Sequence, residues 1–219
     1  MKFFKKLFGK RGILDEEWST RKNDIDVLIG RLSDQQLQAE AAMALSRMGP
    51  PAINALMTAL KDTDRQAYAT VALAGIGPAA IEPLMDALKD EATQSYASVA
   101  LAKIGGPAIE PLIAGLNDAG IRSYAAIALA DIGPPAIESL IDALNDSKRQ
   151  AYATMALADI GTPAVKGLVA ALKDKGRQAC ATVALAKIGV QDALSLAREV
   201  EDKAPETVAE SVLNKMGGH

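Results

Sequence analysis

The sequence predicts an all-α solenoid, a superhelix of seven stacked helix–turn–helix repeats of 28 residues each. Three observations predict it. A glycine recurs every 28 residues, with an aspartate fifteen residues before it and a leucine four residues before it. A fixed period of about 20 to 50 residues is typical of solenoids. The chain also has only 4% aromatic residues, and its many alanines and leucines favour packed helices over strands.

The three columns of residues set the repeat boundaries without a gap. The glycines are Gly49, Gly77, Gly105, Gly133, Gly161, Gly189 and Gly217. The leucines are Leu45, Leu73, Leu101, Leu129, Leu157, Leu185 and Leu213, and the aspartates are Asp34, Asp62, Asp90, Asp118, Asp146, Asp174 and Asp202. The single repeat domain therefore covers residues 22–217, in the repeats 22–49, 50–77, 78–105, 106–133, 134–161, 162–189 and 190–217. Residues 1–21 precede it as a cationic segment and linker.

The first half of each repeat predicts a short amphipathic helix, which we call helix A. In the second repeat Ile53, Leu56 and Leu60 fall on one face at helical spacing. Proline recurs at the start of this segment, as in Pro51 and Pro107. A proline costs little in the first helical turn, where the missing N–H has no helical partner.

The second half of each repeat predicts a second helix, helix B. Asp62 supplies a turn and an N-cap, because its carboxylate can accept hydrogen bonds from free amides of the following helix. Helix B then covers Arg65 to Ile76 and stops at Gly77, since glycine tolerates the left-handed conformation of a helix C-terminus.

Helix B resembles the HEAT-like repeats named after the phycobilisome lyases. The resemblance rests on Ala69, Ala72, Leu73, Ile76 and Gly77 and on their equivalents in the other repeats, and it extends from residue 22 to residue 217. It implies a solenoid whose B helices line the inner, concave surface. The family's helix-B arginine is matched by Arg122 and replaced by glutamine in four repeats: Gln66, Gln94, Gln150 and Gln178.

A helical projection of helix B predicts which side chains stay free. Leu73 points toward helix A, while Ala67 and Ala74 on one flank and Ala72 on the other are expected to be buried against neighbouring B helices. The remaining direction holds the column of Tyr68 and the column seven residues later. That later column reads Arg47, Gly75, Lys103, Asp131, Asp159 and Lys187, a mixture of charges that indicates solvent.

All four tyrosines of the chain occupy one column, with Cys180 continuing it: Tyr68, Tyr96, Tyr124 and Tyr152. Tyrosine is enriched at binding hot spots, and apolar residues lie at the margin of the same face: Val71, Val99, Ile127 and Met155. We therefore predict a protein- or peptide-binding face formed by the four tyrosines with Lys103, Asp131, Asp159 and Lys187. In the alternative, the rings cover the alanine-rich seams between repeats.

The first eleven residues have a different composition from the repeats. They contain every phenylalanine and five basic residues without an acid. Such a segment is attracted to an anionic membrane surface, which makes it a candidate membrane or partner anchor. Its residues are Phe3, Phe4, Leu7, Phe8, Lys2, Lys5, Lys6, Lys10 and Arg11. The alternatives are a cap over the first repeat, a disordered tail, and a segment that docks onto another copy.

The usual parts of an active site are missing from the sequence. The one histidine is His219, and the one cysteine, Cys180, excludes an intramolecular disulfide. We therefore expect no catalysis, cofactor or metal. A net charge of −3 argues against nucleic acid as a partner. No apolar run approaches the roughly 20 residues of a membrane span, and no signal peptide is evident, so we expect a cytoplasmic protein, at most peripheral on the membrane.

These observations predict a scaffold or adaptor that binds a protein or peptide. The alternative, which follows from the family resemblance, is a phycobilin lyase or a lyase-like chaperone subunit that acts on a chromophorylated protein.

Overall fold

A computed structural model describes residues 22–190 and 204–217. The candidate anchor in residues 1–11, and Asp202 of the aspartate column, lie outside these residues. Within them the secondary structure consists of helices and turns, with no strand. The structure confirms an α-solenoid, in which A and B helices alternate along the chain.

Thirteen α-helices are present in the described ranges. The A helices are α1 (Lys22–Arg31), α3 (Ile53–Ala59), α5 (Ile81–Ala87), α7 (Ile109–Gly115), α9 (Ile137–Ala143) and α11 (Val165–Ala171). The B helices are α2 (Gln38–Met48), α4 (Gln66–Ile76), α6 (Gln94–Ile104), α8 (Arg122–Ile132), α10 (Gln150–Ile160) and α12 (Gln178–Ile188). The last helix, α13 (Pro205–Gly217), stands at the helix-B position of the seventh repeat but packs against the A helix α11.

Helix A begins differently from the prediction. A 3₁₀ turn, such as Pro50–Ala52 before α3 or Pro134–Ala136 before α9, precedes the α-helix. The prolines lie in this turn, so the α-helical part of helix A is only seven residues long from the second to the sixth repeat. The tighter turn uses the fixed φ of proline to redirect the chain immediately after each glycine.

The glycine column ends the B helices in a conformation that side chains rarely adopt. From Gly49 to Gly189 its members have φ between 73° and 96°. The predicted positive φ is confirmed, although Gly189 alone has left-handed helical dihedrals, with ψ of 15°. In the five preceding glycines, which all enter a 3₁₀ turn, ψ lies between −144° and −133°.

The aspartate column forms the turn between helix A and helix B as predicted, but it is not the N-cap of helix B. The residue directly before each of these helices, such as Arg65 before α4, takes that position, and no side chain hydrogen-bonds to the first amides of the helix. In six repeats the aspartate Oδ1 accepts a hydrogen bond of 2.8–3.0 Å from the backbone N–H two residues later. The backbone carbonyl of Asp62 also accepts from Gln66 N at 2.9 Å. Each aspartate thus starts the first turn of the following B helix.

The described residues divide into two compact parts, one that ends at Pro83 and one that begins at Leu84. In the first part α2 packs against α4. In the second, α6, α8, α10 and α12 pack in series, and α7, α9 and α11 form a second row. The leucine column is fully buried from Leu45 to Leu185. Within the second part, α8 and the following segment Pro134–Ala143 meet at 119°.

One stretch differs from the expectation that no apolar run reaches the length of a membrane span. Gln66–Ala87 has 22 residues and is apolar enough, by length and composition alone, to cross a bilayer. Gly77 interrupts it with φ of 79°. The helices on either side each bury a core leucine, Leu73 and Leu84, completely. The packing of the repeat therefore accounts for this hydropathy.

Candidate protein-binding face

The exposed side of each B helix is centred one position away from the side that the sequence predicted. Ala67 was expected to be buried on a flank but is exposed, as are Val71 and Gly75 at the following i+4 steps. Ala72 is buried as predicted, and Ala74 is half-buried. Because adjacent B helices cross beside Ala72 and Thr70 rather than beside Ala67, the free face is centred on the Val71 position.

Within each part of the chain, large apolar side chains lie along the centre of this face. Apart from Val27, every exposed large apolar residue in the described ranges belongs to one column with the 28-residue spacing. Its members, which we call the apolar column, are Met43 (52% exposed), Val71 (48%), Val99 (41%), Ile127 (47%), Met155 (43%) and Val183 (50%). The sequence placed four of these residues only at the margin of the face, and Met43 and Val183 were missed.

In the second part of the chain, charged side chains flank the apolar column. Lys103, Asp131, Asp159 and Lys187 stand one helical turn after Val99, Ile127, Met155 and Val183, and all four are exposed as predicted. Within the described residues none of them has a hydrogen-bond or ion-pair partner. Their charges are therefore available to a ligand on this face.

The tyrosine column borders the face from the side where neighbouring repeats meet. Tyr68, Tyr96, Tyr124 and Tyr152 are half-buried. The guanidinium carbon of Arg122 lies 4.9 Å from the centre of the Tyr152 ring, in the following repeat. The thiol of Cys180 stands in the same relation to the preceding repeat, with Sγ 3.8 Å from Gln150 Oε1. Each contact joins the first residue of one B helix to the third residue of the next B helix.

A buried hydroxyl adds a polar contact at the seam between α6 and α8. Ser98 Oγ donates to the backbone carbonyl of Tyr124 at 3.1 Å. Thr70 and Thr154, which occupy the same position in their repeats, instead donate to the carbonyl four residues earlier in their own helix. Ser98 therefore links two repeats, whereas the threonines satisfy their hydroxyls locally.

Metal ligands are not grouped on this face. Among the residues that the structure describes, no three or more His, Cys, Asp or Glu side chains could hold a metal ion together. Cys180 is a free, half-buried thiol. The face thus consists of an apolar column with the charges and the half-buried aromatic rings on the same flank, the one toward the preceding repeat.

Within each part of the chain, successive helical hairpins stack with their B helices side by side, which defines an α-solenoid. The chain is a HEAT-like repeat protein: the PBS lyase HEAT-like repeat family matches it four times, at residues 37–62, 66–90, 93–118 and 121–146. Each match begins near the start of a B helix and ends at or beside an aspartate of the next repeat. No curated protein matches the chain significantly.

Proposed function

We propose that this protein is a scaffold that binds a protein partner through the exposed face of its B helices. The observation that supports the proposal most strongly is the apolar column. Single exposed apolar residues are common on protein surfaces. Four of them on successive packed B helices of the second part, from Val99 to Val183, are typical of an interaction site. Burial inside the repeat does not explain the column, because 41–52% of each member's surface is exposed.

The tyrosines have a supporting role in this proposal. Arg122 and Gln150 reach across to the tyrosine column of the following repeat, which favours rings that cover the seams. A half-buried ring still presents an edge and a hydroxyl to a partner. We therefore place the main contact on the apolar column and treat the tyrosines as the border of the site.

The experiment compares capture of partners from the native source by three proteins. The face variant is Ile127→Glu/Met155→Glu. The control is Ala114→Glu/Ala170→Glu, which adds the same charge at exposed positions of A helices. We expect the unchanged chain and the control to capture the same partner protein, and the face variant to capture less than a tenth as much of it. Circular dichroism should show that all three proteins are equally helical. Equal capture by all three would refute this face.

We also propose that residues 1–11 attach the protein to an anionic surface, so that it works in the cytoplasm at the inner side of a membrane. The support is compositional: five basic residues and three phenylalanines occur together, while the whole chain has a net charge of −3. Each basic residue near an anionic bilayer contributes about 1 kcal/mol, in addition to the burial of apolar side chains.

A second candidate function follows from the family to which the repeats belong. The PBS lyase description of the repeat favours a lyase-like subunit or chaperone that acts on a chromophorylated protein. Titration with a linear tetrapyrrole, followed by absorbance, tests this candidate. A saturable spectral change that the Ile127→Glu/Met155→Glu variant lacks would support it, and an unchanged spectrum would refute it.

A further inference from the structure

The four unpaired charges beside the apolar column follow a fixed order of sign. From α6 to α12 they are Lys103, Asp131, Asp159 and Lys187, which gives plus, minus, minus, plus. Each charge stands four residues after a member of the apolar column, so the two side chains lie on the same helical face. A ligand that covers the apolar column therefore lies next to these charges.

The helices gain nothing from the two central charges. Asp131 is the penultimate residue of α8 and Asp159 the penultimate residue of α10. An acidic side chain in the last turn of a helix is disfavoured by the helix dipole, by a few tenths to about 1 kcal/mol. Lys103 and Lys187, in the same turn of α6 and α12, have the favourable sign. A residue type that opposes local stability without an internal partner indicates a functional role.

The spacing of the charges allows each to be recognised separately. Neighbouring packed helices are about 8–10 Å apart, and charges are screened over about 8 Å at physiological ionic strength. Each charge of a partner therefore interacts mainly with the one charge directly opposite it on this face. The order of charges along the partner then matters more than its net charge.

We infer that this face binds a segment of another protein whose charges follow the complementary order: acidic, basic, basic, acidic. The inference rests on the proposed function, and it specifies the partner of the same face. The two basic side chains lie opposite Asp131 and Asp159, and the acidic ones lie opposite Lys103 and Lys187. Apolar side chains between them cover the apolar column. A polyproline II segment rises about 9 Å in three residues, and an α-helix about 10 Å in seven, so either conformation fits the spacing.

Charge complementarity distinguishes this occupant from two others. A second copy that meets the face in reverse order sets Lys103 opposite Lys187 and Asp131 opposite Asp159, which are like charges. In the other two-fold arrangement the repeats keep their order and the helix directions are reversed. Each charge then meets the residue four positions before the apolar column, and these residues are small: Ser95, Ser123, Ala151 and Ala179. Residues 1–11 of the chain itself contain five bases and no acid, so they complement the two aspartates but repel the two lysines.

The test uses the full chain and pairs of fluorescein-labelled synthetic peptides of equal composition. One peptide has the order Glu, Lys, Lys, Glu at every third position of a proline-rich sequence, and its isomer has Lys, Glu, Glu, Lys. A second pair repeats these orders at every seventh position of a helical peptide. In fluorescence anisotropy at 50 mM salt, we expect one pair to show a 10- to 100-fold preference for the acidic–basic–basic–acidic order. The preference should fall toward unity in 1 M salt.

The charge-swapped protein, with Lys103→Glu, Asp131→Lys, Asp159→Lys and Lys187→Glu, keeps the net charge and is expected to reverse the preference. Equal affinity for both orders would overturn this inference and leave the proposed face intact, whereas unaffected capture by Ile127→Glu/Met155→Glu would refute the face itself. Failure of every peptide to bind would also overturn the inference. So would displacement of the probe by a peptide of residues 1–11 at equal affinity, or a dimer in light scattering that Ile127→Glu abolishes.

Discussion

Arg122 of α8 stacks over the ring of Tyr152 in α10, with 4.9 Å between the guanidinium carbon and the ring centre. A cation above an aromatic face contributes about 0.5–1 kcal/mol at a partly exposed site. We expect Arg122→Gln, which introduces the residue found at this position in the flanking repeats, to lower the free energy of unfolding by this amount. Urea denaturation followed by circular dichroism measures it.

A double-mutant cycle identifies the ring as the cause. Arg122→Gln and Tyr152→Leu should have a coupling of about 0.5 kcal/mol or more, because both remove the same contact. Arg122→Gln combined with Tyr96→Leu should be additive. Coupling of similar size in both cycles would contradict a specific Arg122–Tyr152 contact.

Gly105 and Gly106 are adjacent in the sequence, but only Gly105 has a backbone conformation that requires glycine. Gly105 has φ of 74° and ψ of −133°, a sparsely populated region that costs a residue with a side chain about 1–3 kcal/mol. Gly106 does not have positive φ, and no heavy atom lies within 4 Å of a Cβ added there. Gly105→Ala should therefore lower the free energy of unfolding by about 1–3 kcal/mol. Gly106→Ala should leave it unchanged or raise it by up to about 1 kcal/mol. Thermal or urea unfolding of the two variants measures this difference. Equal losses of stability in both would contradict the backbone conformations of these two residues.

Asp146, in the turn before α10, should make the free energy of unfolding depend on pH in the acidic range. The backbone N–H of Lys148, and then the guanidinium of Arg149, lower the pKa of Asp146 below its ordinary value of 3.8. Because the folded protein binds this proton less readily than the unfolded chain, the carboxylate stabilises the fold above pH 3.8. This stabilisation is lost as the pH falls through the folded-state pKa.

Substitution of Asp146 tests this dependence. Asp146→Asn should be less stable than the unchanged chain at neutral pH, with the difference shrinking as the pH falls below 3.8. Asp118→Asn is the matched control, because Ile121 stands where Arg149 stands in the other repeat, so it should show a smaller change. A difference between the unchanged chain and Asp146→Asn that stays constant from pH 7 to pH 2 would be inconsistent with this account.

The first eleven residues should govern association with membranes. In co-sedimentation with vesicles that contain about a third phosphatidylserine, we expect the full chain to bind and the 12–219 truncation to remain in the supernatant. Raising the salt concentration should weaken the binding, since attraction to anionic lipid is screened within the Debye length. Neutral phosphatidylcholine vesicles are the control. Equal sedimentation of the full and truncated chains would refute the anchor.

The fold was predictable because each repeated residue type has one strong physical reason for its position. Leu73 and Leu101 are fully buried, Gly77 and Gly105 have positive φ, and Asp62 caps its turn. The 3₁₀ turn before helix A was not predicted, because a proline at the first position of an α-helix and one in a 3₁₀ turn obey the same steric rule.

The binding face was predicted less well, because it depends on how the helices cross. A projection of one helix cannot show whether Ala67 or Ala72 faces the neighbouring helix, since both are small enough for close packing. The sequence therefore placed Tyr68 at the centre of the face and Val71 at its margin, whereas the structure exposes Val71 and half-buries Tyr68. The contact between Arg122 and Tyr152 likewise joins residues 30 positions apart in different repeats, a relation that the repeat pattern alone did not reveal.

Site-specific photocrosslinking in the native source tests the binding face most directly. A photoreactive benzoylphenylalanine is placed at Ile127 or Met155 on the B helices, and at Ala114 or Ala170 on the A helices as controls. Each of these positions is exposed. We predict that Ile127 and Met155 crosslink to the same protein and that the two A-helix positions do not. Crosslinks to that protein from the A-helix positions, or none from either B-helix position, would contradict the account.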